Sequence, residues 1–122
     1  MKPELVIALD VPSREEALRL AGDIIPVTPW LKVGLELFTR AGPDVLFALK
    51  KMGGKIFLDL KLHDIPHTVG RAVEAAIEAG ADMCDVHMSG GESMCRAAVE
   101  AAKEARRRGR ACLLLGVTIL TS

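Results

Sequence analysis

Phe57-Leu58-Asp59-Leu60-Lys61-Leu62-His63-Asp64-Ile65-Pro66-His67-Thr68 is the stretch on which the reading of the whole chain turns. It opens as an apolar strand pattern and then sets Asp59, Lys61 and Asp64 within six residues. Asp59 and Lys61 are two apart, so on an extended strand both project from one face, roughly 7 Å apart. Taking ions out of water costs several kcal/mol each, so a strand seldom turns two opposite charges toward a core unless something there uses them. Pro66 stops the ladder and suits the first turn of a helix, which leaves Asp64 on the connecting loop. A charged pair at a strand end, with a third charge on the loop after it, reads as the edge of an active site.

Upstream, the apolar run Leu5 to Leu9 ends in Asp10 and is bounded by Val11-Pro12, the pattern of a buried parallel strand. Ser13 and Glu16 form a capping-box pair that opens a helix with Ala17, Ala21, Ile24 and Ile25 on one stripe. Trp30 to Gly34 is a second short strand, interrupted by Lys32. Pro43-Asp44 starts a helix with Val45, Leu49 and Met52 on one side, closed by Gly53-Gly54. Lys55 to Lys61 is the third strand. Downstream, Thr68 to Ala79 is a helix closed by Gly80, and Met83 to Met88 a fourth strand. Ser89-Gly90-Gly91 turns into a helix with Met94, Ala97, Ala98, Ala101, Ala102 and Ala105 on one face, and Ala111 to Val117 is a fifth strand. Strands alternating with helices through short connections imply an α/β fold with about five parallel strands, four helices and right-handed crossovers.

The chain has 122 residues, half of them hydrophobic, with 16 basic and 16 acidic side chains. That is enough for one domain with a real core. The neutral balance gives no reason to expect nucleic acid or an anionic membrane as partner. No apolar run reaches bilayer-spanning length and the N-terminus has no signal-peptide layout, so a cytoplasmic protein is expected. Cys84, Cys95 and Cys112 are odd in number and widely spaced, which reads as reduced thiols. With three Phe, one Trp and no Tyr, surfaces for stacking bases or sugars are nearly absent. Arg106 to Arg110 lies at a helix C-terminus, where cations favour the dipole, and reads as a solvated helix end.

The polar residues collect at one end of the strands. Strand one ends in Asp10, strand two carries Lys32, and strand three supplies Asp59 and Lys61. Strand four has His87, and strand five runs into Thr118 and Thr121. Parallel α/β folds bind ligands at that C-terminal end. Each residue alone has a bland reading: Asp10 as a turn cap, Lys32 as a snorkelling chain, and His87, where the bland reading is preferred, as a satisfied core histidine. The four charges together are harder to dismiss. His63 and His67 are four apart, but Pro66 intervenes and no helix joins them as a metal pair. Gly90-Gly91 before a helix is weak evidence for a phosphate site, and no serine or cysteine stands in a nucleophile-elbow context.

At these residues the sequence resembles the orotidine 5′-phosphate decarboxylase family. Its signature Asp-x-Lys-x-x-Asp-x-x-x-Thr is matched by Asp59, Lys61, Asp64 and Thr68. Ala8-Leu9-Asp10, Lys32-Val33-Gly34, Val86-His87-x-x-Gly90-Gly91 and Val117-Thr118-x-Leu120-Thr121-Ser122 add to the likeness, which runs the length of the chain. His67 stands where many members have Asn. The resemblance implies a TIM (β/α)8-barrel, of which these residues supply the first part. The late strands and phosphate-binding loops are expected to be absent, since such barrels run to about 250 residues.

The resemblance further implies conversion of orotidine 5′-monophosphate (OMP) to uridine 5′-monophosphate (UMP) in de novo pyrimidine biosynthesis, with no metal and no organic cofactor. Lys61, Asp59, Asp64 and Lys32 are the implied catalytic set, with Lys61 as proton donor. Asp10, Lys32, Asp59, Asp64, Ile65, Thr68 and Thr121 are the implied substrate contacts. A homodimer with shared active sites follows from the same likeness, Asp64 and Thr68 serving the partner's site. Sister families with the same Asp-x-Lys-x-x-Asp pattern are magnesium-dependent sugar-phosphate decarboxylases or aldolases. They typically place an acidic ligand where Lys32 stands, and a cation cannot ligate another cation. A half-barrel that serves assembly or folding without chemistry is the non-enzyme alternative. Without the distant phosphate grip the isolated 122 residues are expected to have little or no activity, and an open barrel edge to favour self-association.

Overall fold

A computed structural model describes residues 2–121; Met1 and Ser122, the latter part of the Thr121-Ser122 motif, lie outside the described residues. The chain divides into two compact units, Met1–Asp59 and Leu60–Ser122.

The first unit contains β1 (Ile7–Ala8), β2 (Trp30–Val33) and the start of β3 (Lys55–Leu62), with helices α1 (Arg14–Ile24), α2 (Leu35–Ala41) and α3 (Asp44–Lys51). β1 pairs with β2 and β2 with β3, both parallel, with Ile7 opposite Leu31 and Val33 opposite Leu58. Leu31, Val33, Ile56 and Leu58 are buried, as are Ala17 and Ala21 of α1 and Val45, Leu46 and Leu49 of α3. Fully burying such an aliphatic side chain is worth about 1.5–3 kcal/mol, and that packing, more than propensity, holds helices this short. Ser13 Oγ accepts the Glu16 N–H at 3.2 Å, the forward half of the expected capping box.

Three features of this unit depart from the sequence reading. β1 is only two residues long, and Leu5 and Val6, ahead of it, are exposed. Thr28 Oγ1 donates to the Leu5 carbonyl at 2.7 Å and accepts the Trp30 N–H at 3.3 Å. Helix α2 was not expected; with seven residues and only Leu37 buried, it is too short to show a periodic stripe. Met52 falls just past the end of α3 and is 39% exposed, so it does not complete the Val45–Leu49 face.

The second unit contains the end of β3, α4 (Pro66–Glu78), β4 (Met83–His87), one 3₁₀ turn (Met88–Gly90), α5 (Glu92–Arg107) and β5 (Leu113–Val117). β4 and β5 are parallel, with Met83 opposite Leu113 and His87 opposite Val117. Val69, Val73 and Ile77 of α4 share a core with Cys84 and Val86 of β4 and with Met94, Ala98 and Ala101 of α5. The helices approach closely, since a Cβ at Gly70 would lie 3.6 Å from the Ala97 carbonyl oxygen.

Pro66 occupies the first turn of α4, as its fixed φ favours. The three cysteines are free thiols. Cys84 and Cys112 place their sulfurs 3.9 Å apart, and this contact together with burial pushes the Cys84 thiol up from its ordinary range. The arginine run is exposed at the end of α5, where Arg107 and Arg108 pair with Glu104. Strand pairs in both units are parallel and strands alternate with helices, the α/β class expected. Among the described residues no helix is long and apolar enough to cross a membrane.

Candidate active site

In the first unit, parallel pairing sets β2 between β1 and β3 and so brings three charges from three segments together. Lys32 Nζ lies 3.4 Å from Asp10 Oδ1 and 3.4 Å from Asp59 Oδ2. The environments of the two carboxylates differ. Asp10's side chain is 69% exposed, whereas that of Asp59 is 10% exposed, so the inner pair is the less screened. Lys32, one of the residues with a bland reading as a snorkelling chain, is an ion-paired cation held at the sheet end.

Gly34 makes room for this cluster. A Cβ there would lie 3.3 Å from Lys32 Nζ and 3.5 Å from Asp10 Oδ1. The sequence signal was available, since Gly34 follows Lys32-Val33 directly, but the space it opens depends on where β1 ends.

In the second unit, Lys61 is half-buried and has φ 48°, the only positive φ among the described residues other than glycine. Left-handed backbone costs an L-residue roughly 1–2 kcal/mol, and it breaks the two-residue alternation that the sequence reading assumed through Lys61. Its backbone N–H donates to Asp85 Oδ1 at 2.9 Å. Asp85, 2% exposed in the middle of β4, was missed by the sequence reading. The signal was a lone Asp inside the apolar run Met83-Cys84-Asp85-Val86, since a buried carboxylate needs hydrogen-bonding partners.

Lys61, Asp64 and Thr68 border one recess of about 280 Å³, with Leu60, Leu62 and Val69 supplying apolar wall. Asp64 Oδ1 accepts the Ile65 N–H at 2.7 Å, fixing the entry to α4. Ile65 is 65% exposed at that entry, and Thr68 is exposed in the first turn. Thr121 is exposed in the segment after β5. His87 is half-buried and not a core histidine: its Nδ1 is 3.2 Å from Ser89 Oγ, and its ring lies 5.4 Å from that of His63. Among the described residues no group of three His, Cys, Asp or Glu side chains is placed to hold a metal ion.

Chemically, the first unit offers a cation fixed between two anions, and the second a lysine held in an uncommon backbone state beside a recess. The sequence pattern of the Orotidine 5′-phosphate decarboxylase / HUMPS family matches residues 3–122. The chain is 54% identical to an orotidine 5′-phosphate decarboxylase of Nitratidesulfovibrio vulgaris (strain Miyazaki F), over 98% of this chain and 52% of that one. It is 47% identical to that of Carboxydothermus hydrogenoformans, over 100% of this chain and 51% of the relative. The crystal structure of orotidine 5′-phosphate decarboxylase from Lactobacillus acidophilus matches with a TM-score of 0.88 and 37% identity, over 98% of this chain and 55% of that one. That of orotidine 5′-monophosphate decarboxylase from Methanocaldococcus jannaschii, complexed with inhibitor BMP, matches with a TM-score of 0.81 and 27% identity, over 93% and 52%. The chain thus spans about half the length of the curated relatives it matches. With its Asp-x-Lys-x-x-Asp strand and a match reaching from Pro3 to its last residue, this chain belongs to the orotidine 5′-phosphate decarboxylase / HUMPS family.

Proposed function

We propose that this protein removes CO2 from orotidine 5′-monophosphate to give uridine 5′-monophosphate, the decarboxylation step of de novo pyrimidine biosynthesis. The observation that carries the reading is Lys32 held at 3.4 Å from both Asp10 and Asp59, on a strand set beside the Asp59-x-Lys61 strand. Departure of CO2 leaves negative charge on a ring carbon without a good electron sink. The Lys61 ammonium stabilises that charge and then donates a proton to it. Asp59 and Asp64 favour the charged form of Lys61 as neighbouring anions. Asp10 and Lys32 hold ribose hydroxyls, while Thr68 and Thr121 meet the sugar-phosphate end and Ile65 lines the pocket.

The reaction proposed uses neither metal nor organic cofactor. The chain is proposed to be the N-terminal part of a single (β/α)-barrel domain, working in the cytoplasm as a homodimer with shared active sites. The exposure of Asp64, Ile65 and Thr68 supports a role for that loop toward a partner.

The test is turnover of orotidine 5′-monophosphate by the protein at its full encoded length. UMP formation undiminished by EDTA is the expected result. Absence of UMP sinks the reading, and turnover abolished by EDTA and restored by Mg2+ transfers it to the magnesium-dependent sister families. A second expectation follows from Gly34. Gly34→Ala should push the Lys32 ammonium aside and lower kcat/KM about tenfold, with the melting temperature nearly unchanged because Lys32 Nζ ends a flexible chain. An unchanged kcat/KM would remove Lys32 from the proposed site.

A further inference from the structure

We infer that Asp85 is a positioning residue for Lys61, setting the backbone state from which the lysine works. The inference rests on the role proposed for Lys61 above. Asp85 lies within β4 and is 2% exposed. It accepts the Lys61 backbone N–H at 2.9 Å, across 24 residues of sequence. A carboxylate accepting an amide N–H makes a charge-assisted bond, stronger than the amide–carbonyl bond of a sheet ladder.

The residue whose N–H it takes is the one non-glycine with a left-handed φ among the described residues. Reversing φ within a strand turns the N–H out of the ordinary ladder register and takes the side chain out of its two-residue alternation. Such a state persists only where the surroundings over-determine it, and strained backbone clusters at functional positions. Here one oxygen of Asp85 contributes directly to the constraint by taking the Lys61 N–H. Without that acceptor, Lys61 is free to relax to extended backbone, and relaxation swings the side chain to a new direction. A purely structural Asp85 would stabilise the unit without caring how Lys61 is oriented, so the readouts must resolve Lys61 itself.

The experiment compares Asp85→Ala and Asp85→Asn in the protein at its full encoded length. Hydrogen exchange of the Lys61 amide should quicken at least about tenfold in Asp85→Ala, while the amide of the buried Ala98 in α5 stays as slow as before. Asp85→Asn keeps an oxygen acceptor but loses the charge, so exchange at Lys61 should quicken only a few-fold. With OMP as substrate, Asp85→Ala should lower kcat by about 100-fold and leave KM within a few-fold, and Asp85→Asn should restore most of that loss. Should Asp85→Ala fail to fold, the Asn variant alone decides through Lys61 exchange. Lys61 exchange unchanged in the folded variants overturns the inference, as does a loss of kcat matched by an equal fall in the fraction of folded protein. If the parent protein shows no turnover but Lys61 exchange responds as stated, the Asp85–Lys61 coupling stands and the activity assignment fails.

Discussion

Lys61→Ala is expected to lower kcat for OMP decarboxylation by at least about 10⁴-fold in the protein at its full encoded length, with KM changed far less. On the proposed function, two effects are lost together. One is the fixed positive charge beside the carbon that becomes anionic, worth about 10²–10³-fold where water is excluded. The other is the proton donor that quenches the carbanion, worth about 10²–10⁴-fold. The measurement is single-turnover conversion of OMP to UMP, which separates chemistry from product release. A variant that keeps its rate within about tenfold would exclude Lys61 as the proton donor. The backbone N–H that Asp85 accepts remains in place in this variant, so that contribution to stability is kept.

Asp59→Asn is the second large effect, about 10³-fold in kcat, and it has a different physical origin. Asp59 is 8% exposed, and its Oδ2 lies 3.4 Å from Lys32 Nζ. Neutralising it keeps the shape but removes the inner anion, so Lys32 is left with the far more exposed Asp10 and shifts toward water. On the proposed function, the alternation of charges that Asp59 shares with Lys32 would then lose its inner anion. Because Lys32 retains both Asp10 and solvent, urea unfolding should show a loss of only about 1–2 kcal/mol. A large loss of stability with unchanged kcat would make Asp59 a structural partner of Lys32 and nothing more.

Much of this was readable before any coordinates. Pro66 after Asp64 placed the end of β3 and the first turn of α4 because proline removes a ladder donor and pre-sets a helical φ. The capping pair placed the start of α1, since Ser13 has a donor to satisfy three residues on. Elements defined by long-range partners were read less well. β1 is two residues long, and the Leu5 carbonyl ahead of it accepts from the hydroxyl of Thr28, distant in sequence. Helix α2 carries too few buried residues for a period to show.

The same division runs through the candidate site. Residue types and spacing alone singled out Asp59, Lys61, Asp64 and Thr68 as one motif, because two-residue and turn-length separations are local geometry. Only the tertiary structure decided that Lys32 sits between Asp10 and Asp59, since parallel register brings residues 22 and 27 positions apart to within ion-pair distance. It alone decided that Lys61 leaves the extended conformation, because the acceptor that takes its N–H stands on another strand. Spacing reveals which groups a strand presents; the direction they take depends on hydrogen bonds made by residues far along the chain.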